Sequence, residues 1–210
     1  MSTAEVTIVE GLDEQHVDEA LRVLYDAFAK KFRIGFRDAD DLRRLFRDSV
    51  DRTSCYAALV DGQFAGLLTF RADGQEFYRL STVALFTRFS PLRAIRMLLN
   101  LLLLTEGRKA DEFVVDSLAV DPAYRGMGIG TALLQKAEAR ARSMGKYTMS
   151  LGVVGENEGA IRLYERQGYR RTHTWDGYLV RLATGSAEVH RMEKRVGGMG
   201  QDAVGEQEMA

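Results

Sequence analysis

The chain has 210 residues, 46% of them hydrophobic, which is enough for one sizeable core and predicts a single domain. Its formal net charge is −1, so the overall charge indicates no polyanionic partner, and we expect no nucleic-acid binding. The one cysteine, Cys55, excludes an internal disulfide framework, and the three histidines lack metal-ligand spacing, so we expect a cytoplasmic protein without a metal site.

The first half of the chain alternates short apolar runs with amphipathic stretches. An apolar run predicts a strand, and apolar residues spaced three and four apart predict a helix. In chain order these patterns predict a strand over 6–9, helices over 16–30 and 40–50, and strands over 55–60 and 63–70. Asp61-Gly62 between the last two strands favours a hairpin, because glycine tolerates the positive φ of a type I′ turn. Asp73-Gly74 marks another turn, and residues 77–89 carry no pattern that we could assign.

A leucine-rich segment over 91–104 follows Ser90-Pro91, a pair that favours the start of a helix. Its apolar stretches are too short for a membrane span, which needs about 20 residues, and Arg93, Arg96 and Asn100 interrupt them. The pattern therefore predicts a helix packed on its own domain or on a partner subunit, with a peripheral membrane contact as the alternative. Because leucines cover more than one side of this helix, we expect a homodimer contact or a lid over an acceptor site.

The second half of the chain alternates strands with helices. It predicts strands over 113–120, 147–154 and 169–175, helices over 129–144 and 157–167, and a last strand over 187–196 rather than 178–182. The glycine-rich residues 197–210 are typical of a disordered tail. This order of elements predicts an α/β fold in which helices cover both faces of a mixed sheet.

The most informative stretch is Arg125-Gly126-Met127-Gly128-Ile129-Gly130-Thr131, which leads from a predicted strand directly into a predicted helix. Glycines allow the backbone to turn sharply and to approach a ligand closely. Backbone amides in such a loop, with the positive end of the helix dipole behind them, favour a phosphate group. A Walker loop is excluded because the lysine at its end is missing, and a dinucleotide fingerprint because the third glycine comes one residue early.

At these residues the chain resembles the GNAT superfamily of acyl-CoA-dependent N-acetyltransferases. Arg125, Gly128 and Gly130 match its pyrophosphate motif, Arg/Gln-x-x-Gly-x-Gly/Ala. The run 157–169 is similar to its downstream helix motif, Asn-x-x-Ala-x-x-Leu-Tyr-x-x-x-Gly-Phe/Tyr. The strong resemblance covers roughly 113–175. We therefore expect one GNAT-like domain over 1–196 that carries a helical insertion at 76–110.

The resemblance implies a central, mostly antiparallel sheet whose fourth and fifth strands splay apart, with helices on both faces. The pantetheine arm of acetyl-CoA, the co-substrate, would lie in the gap and pair with backbone groups of the fourth strand. By the same resemblance, the residues that bind acetyl-CoA are Leu118, Ala119, Val120, Arg125, Gly126, Met127, Gly128, Ile129, Gly130, Thr131, Asn157 and Tyr164.

The family's chemistry is direct transfer, in which an amine attacks the thioester carbonyl while both are held in one site. The resemblance implies Tyr164 as a general acid near the CoA sulfur. Asp116 is the candidate general base, because regular strand alternation places it on the same face as Leu118 and Val120. Glu112, four residues earlier with the same parity, is the second candidate.

The sequence does not identify the acceptor amine. Arg71, Glu76, Tyr78 and the leucine-rich segment lie where an acceptor pocket is expected, while Gly152 stands where relatives often carry a polar residue. Cys55 in the predicted hairpin is interpreted as a buried structural thiol, which disfavours an acyl-enzyme route. The leading hypothesis is acetylation of a small-molecule primary amine. The alternatives are a protein or peptide N-acetyltransferase and a non-catalytic module that binds acyl-CoA.

Overall fold

The computed structural model describes residues 5–29, 36–79, 82–92, 94–95, 98 and 111–197. Within this part of the chain the strands are β1 (Val6–Glu10), β2 (Cys55–Val60), β3 (Gln63–Ala72), β4 (Gln75–Glu76), β5 (Glu112–Val120), β6 (Thr148–Val154), β7 (Arg170–Asp176) and β8 (Glu188–Arg195). They form one sheet in the order β1-β2-β3-β5-β6-β8-β7, and β4 pairs with the end of β3. Only the β5–β6 pair is parallel among these strands. The predicted mixed, mostly antiparallel sheet is therefore confirmed.

Helices pack on both faces of this sheet. They are α1 (Val17–Ala27), α2 (Ala39–Phe46), α3 (Thr82–Arg88), α4 (Ile129–Ser143), α5 (Glu158–Arg166) and α6 (Tyr178–Thr184). Buried side chains of α1, α2 and α3 form one core cluster with β2 and β3. Buried side chains of α4 and α5 form the second cluster on the opposite face. We call these two surfaces of the sheet the α1 face and the α4 face.

The turn signals in the sequence correspond to real turns. Asp61 and Gly62 have φ values of 48° and 78°, so both lie in the left-handed region that a type I′ hairpin requires. Asp73 and Gly74 repeat this geometry between β3 and β4, with φ values of 48° and 79°. Because these φ values suit glycine and are tolerated by aspartate, the two Asp-Gly pairs determine where β3 begins and ends.

Two uncertain parts of the sequence are settled by the structure. The unassigned stretch 77–89 contains α3, and the last strand is Glu188–Arg195, whereas residues 178–184 form α6. In the leucine-rich segment, residues 91–92, 94–95 and 98 are helical. Its residues 93, 96–97 and 99–104, like the predicted tail from 198 onward, lie outside the described residues. No helix in the described part of the chain is long and apolar enough to cross a membrane.

Candidate active site

The glycine loop makes the turn from β5 into α4 with two residues in the left-handed region. Gly126 has φ of 84° and Gly128 has φ of 78°, and Gly128 is the N-cap of α4. The first bond of the helix runs from the Ala132 amide to the Gly128 carbonyl, at 3.0 Å. The amides of residues 129–131 therefore have no partner within the helix. Together with the helix dipole they can hold an anion such as a diphosphate, which is the fit that the sequence predicts.

The third glycine of the motif has a different role. A Cβ built on Gly130 would lie 3.1 Å from Cδ2 of Leu163 and 3.9 Å from Cδ2 of Leu118. The start of α4 therefore lies against both α5 and β5. This contact brings together the loop, the strand and the helix that the sequence associates with acetyl-CoA, and it leaves room for only a very small side chain at position 130.

An acidic side chain anchors the loop to the rest of the domain. One oxygen of Asp121 accepts a hydrogen bond from the Ala123 amide at 2.9 Å, and the other accepts one from Arg22 on α1 at 2.8 Å. Both bonds lower the pKa of Asp121, and the bond from the Ala123 amide contributes more than the bond from Arg22. The Arg125 side chain donates back to the Val120 carbonyl at 3.4 Å. Sequence reasoning did not find Arg22, because 99 residues separate it from its partner and no local pattern links them.

β5 and β6 separate halfway along their length. Their parallel pairing runs from Glu112 opposite Thr148 to Val115 opposite Leu151 and then stops. β5 nevertheless continues beside β3 up to Val120, and β6 continues beside β8 up to Val154. Within the described residues, no strand pairs with the remaining β6-side edge of β5. The predicted splay is confirmed, and it leaves a backbone edge that an extended arm can join.

A β-bulge in β5 corrects the prediction for Asp116. Phe70 of β3 lies opposite Val115, whereas Thr69 lies opposite Ser117, so Asp116 is an extra residue in the ladder. The bulge shifts the alternation by one position. Leu118 and Val120 consequently pack with the α4 core, while the carboxylate of Asp116 lies 3.0 Å from the guanidinium of Arg71 on the α1 face. The prediction that Asp116 shares a face with Leu118 and Val120 was wrong, because it assumed an unbroken ladder.

The second candidate base, Glu112, is buried on the α1 face. It is 4% exposed and forms an ion pair with Arg191, which reaches it from β8. Arg191 also contacts Glu193, at 2.7 Å. Glu112 lies within the paired part of β5, whereas Asp116 lies where the two strands separate. Of the two carboxylates, Asp116 is thus the one beside the gap.

Tyr164 projects from α5 into the α4 core and is 7% exposed. Burial raises its pKa from 10.0 to about 12, so the phenol stays protonated at neutral pH and can donate a hydrogen bond. Its ring centroid lies 6.0 Å from that of Tyr169. Asn157 caps α5 by accepting a hydrogen bond from the Ala160 amide at 3.2 Å. The structure therefore shows a capping role for Asn157.

Cys55 lies on β2, which is separated from β5 by β3. It is fully buried, and burial raises the pKa of its thiol to about 12. A thiol that stays protonated is a poor nucleophile, which agrees with its interpretation as a structural residue. In the part of the chain described here, no group of three or more His, Cys, Asp or Glu side chains could hold a metal ion.

Comparison with known proteins gives a family match. Residues 21–169 match the model of the Acetyltransferase (GNAT) family. The chain is also 42% identical over 65 residues to an uncharacterised N-acetyltransferase of Methanocaldococcus jannaschii, a match that covers 31% of this chain and 29% of the relative. The crystal structure of Ard1 from Thermoplasma volcanium superposes with a TM-score of 0.59 at 17% identity, covering 91% of this chain and 97% of that one. This last likeness shows the fold.

Two further relatives have named substrates. The chain is 37% identical over 59 residues to an L-methionine sulfoximine/L-methionine sulfone acetyltransferase of Salmonella typhimurium, covering 28% of this chain and 34% of the relative. It is 39% identical over 59 residues to the ribosomal protein bS18-alanine N-acetyltransferase of Escherichia coli, covering 28% and 40%. In each relative the match spans less than half of the protein's length. One of these proteins acts on a small molecule and the other on a protein.

Proposed function

The chain belongs to the GNAT family of acetyltransferases, and on that basis we propose that it transfers the acetyl group of acetyl-CoA directly to the primary amine of a small molecule. The observation that carries the proposal is the separation of β5 from β6 next to the glycine loop. An extended pantetheine arm has amides that can pair with the free edge of β5, and a diphosphate suits the amides at the start of α4.

The residues proposed to hold acetyl-CoA fall into three groups. The backbone of residues 118–120 pairs with the pantetheine arm, and residues 125–131 hold the diphosphate. Asn157 and Tyr164 complete the site from α5. Two features support this arrangement. A Cβ on Gly126 or Gly128 would meet no atom within 4 Å, so the loop is open to a ligand, and the Gly130 contacts keep α5 beside β5.

In the proposed reaction the amine nitrogen attacks the thioester carbonyl carbon, so that an N–C bond forms and the C–S bond breaks. Asp116 takes the proton that the amine loses, directly or through a water molecule. Tyr164 donates its phenolic proton to the leaving thiolate. The two groups lie on opposite faces of the sheet, which suits an amine that approaches from the α1 face and a thiol that leaves on the α4 face. General acid and general base steps each contribute about 10²–10⁴-fold.

The experiment that tests the function is a thiol-release assay with acetyl-CoA and a mixed panel of amino alcohols, amino sugars, polyamines, amino acids and peptides. Release that depends on a small amine supports the proposal. Release only with peptides supports the alternative of a protein or peptide N-acetyltransferase. Tight binding of acetyl-CoA without release for any amine supports a non-catalytic acyl-CoA-binding module.

The organisation of the whole chain stays a prediction. We propose one catalytic domain over 1–196 with an insertion at 76–110, in a cytoplasmic protein. A homodimer contact or a lid formed by the leucine-rich segment is proposed as well. The exposed apolar side chains of Val83, Phe86, Leu92 and Ile95, on α3 and at the start of that segment, agree with such a contact.

A further inference from the structure

A group of buried polar atoms without partners lies on the α1 face, around the junction of β5 with β6. In the described part of the chain, the side-chain atoms concerned are Thr69 Oγ1, Arg71 Nε, Tyr78 OH, Glu112 Oε2 and Ser150 Oγ. Buried polar side chains normally have a hydrogen-bond partner, so each exception asks for a reason. Five of the nine such atoms in the described residues lie on this one sheet face, four of them beside the junction and Glu112 Oε2 further back in the paired part of β5. We interpret this cluster as a binding surface, because a ligand would supply the missing partners.

The register of β3, β5 and β6 shows where these side chains lie on the sheet. Arg71 lies opposite Val114, and Val114 lies opposite Ser150, so these positions form one row across β3, β5 and β6. Thr69 lies opposite Ser117, directly after the bulge. The neighbours of these residues along the strands, such as Phe70, Met149 and Leu151, pack in the α4 core. Alternation therefore turns Thr69, Arg71 and Ser150 towards the α1 face, where Asp116 also lies.

Tyr78 reaches the same patch from the chain after β4. Its ring lies 5.2 Å from that of Phe46 on α2, which holds it over the α1 face. Its hydroxyl feels the charge of Asp116 and lies within reach of the Ser117 side chain, but the geometry to Ser117 is too poor for a satisfied hydrogen bond. Arg71 and Tyr78 were both expected near an acceptor pocket, and the structure now brings them to the strand junction.

We propose that these five side chains line the acceptor site and that the acceptor is a small primary amine carrying hydroxyl groups, such as an amino alcohol or an amino sugar. This inference rests on the acetyltransferase function proposed above. Three members of the patch are hydroxyls, which can both donate and accept hydrogen bonds. The carboxylate of Glu112 can only accept them, and Arg71 Nε can only donate. Ligand hydroxyls can satisfy all three kinds. A ligand carboxylate would face the unpartnered oxygen of Glu112, and a hydrocarbon amine would leave most of the patch without partners.

The test uses two amines that differ only in their hydroxyl groups, 2-amino-1,3-propanediol and isopropylamine. Their kcat/KM ratio is measured for the wild type and for Ser150→Ala, Thr69→Val and Tyr78→Phe, with acetyl-CoA saturating. Each variant should lower the ratio by about three- to tenfold, the effect of one lost hydrogen bond, while the KM for acetyl-CoA stays unchanged. The intrinsic difference between the two amines cancels because each variant is compared with the wild type.

Ser54→Ala is the matched control, because Ser54 is also fully buried with an unpartnered hydroxyl but lies just before β2, outside the patch. It should leave the ratio unchanged. An unchanged ratio in all three test variants overturns the inference, as does thiol release with peptides but with neither small amine. If no amine releases thiol, the function fails instead. Saturation-transfer NMR with the diol amine then tests the binding surface separately. The proposed surface is wrong if the diol amine does not bind, or if it binds to Ser150→Ala as well as it binds to the wild type.

Discussion

The guanidinium of Arg71 and the carboxylate of Asp116 form an ion pair, with 3.0 Å between Nη2 and Oδ1, at the point where β5 and β6 separate. The two side chains are only partly exposed, at 18% and 22%. The extra residue of the bulge turns Asp116 towards Arg71, away from the α4 core. The proposed base is thereby held in one orientation beside the gap.

The change Asp116→Asn tests the proposed base. It keeps the shape of the side chain but removes its ability to take a proton, so kcat/KM for the amine should fall about 100-fold or more near neutral pH. The loss should shrink at higher pH, because more of the amine is then already neutral. Asp73→Asn is the control, since Asp73 also forms an ion pair, with Lys146, at a turn away from the gap. Near wild-type activity of Asp116→Asn would remove Asp116 from the mechanism.

The change Tyr164→Phe tests the proposed acid. It keeps the buried ring and removes the phenolic proton, so kcat should fall by about one to three decades while the KM for acetyl-CoA changes little. Tyr169→Phe is the matched control, because its ring lies 6.0 Å away and is just as buried, with its hydroxyl against the Met149 sulfur at 3.8 Å. Steady-state kinetics of both variants decide the point. If kcat is the same for Tyr164→Phe as for Tyr169→Phe, Tyr164 has only a packing role.

Gly128→Leu should abolish binding of acetyl-CoA. A side chain at this N-cap would project where the diphosphate is proposed to lie, and the left-handed φ of 78° adds about 1–2 kcal/mol of strain. Gly62→Leu carries the same strain, since its φ is also 78°, but it lies in the β2–β3 hairpin. Thermal unfolding should show similar losses of stability for the two, and calorimetric titration should show lost binding only for Gly128→Leu. Wild-type affinity in that variant would refute the loop assignment.

The buried phenol of Tyr164 predicts a loss of stability at alkaline pH. Its pKa is raised from 10.0 to about 12 in the folded protein, so the folded state keeps a proton that the unfolded state gives up. The contribution of this protonated phenol to the stability of the folded protein is fully present below pH 10 and is lost as the pH rises to about 12. Urea unfolding between pH 9 and 12 should therefore show a smaller decline for Tyr164→Phe than for the wild type. Parallel declines would contradict the raised pKa.

The ion pair between Glu112 and Arg191 should matter far more for stability than the exposed pairs do. Glu112→Ala removes one of the carboxylates that pair with the largely buried guanidinium of Arg191, and it should lower the free energy of unfolding by about 3 kcal/mol. Arg162→Ala removes an exposed pair with Glu158 on α5 and should cost about 0.5 kcal/mol or less. Urea unfolding of both variants measures the difference. Equal losses in the two variants would show that the Glu112–Arg191 pair contributes no more than an exposed pair does.

Local features of the fold could be predicted from the sequence because their signals lie within a few residues. Asp61-Gly62 predicted a type I′ turn, and the structure shows positive φ at both positions. The helix predicted over 157–167 is confirmed by α5, which Asn157 caps by accepting a hydrogen bond from the Ala160 amide. The choice of 187–196 as the last strand was also confirmed, by Glu188–Arg195. Each depends on backbone conformations that one or two residue types favour.

The sequence by itself determined most of the elements, the glycine loop and, through two motifs, the family, because glycine φ values, helix caps and hydrophobic periodicity act over short stretches of chain. It did not reveal the helices α3 and α6. Only the tertiary structure decided which face Asp116 occupies, since the bulge exists only in the register of β5 against β3. It also decided that Arg22 holds the loop through Asp121 and that Arg191 holds Glu112, across 99 and 79 residues. Such pairings depend on how distant segments pack, and no local pattern encodes them.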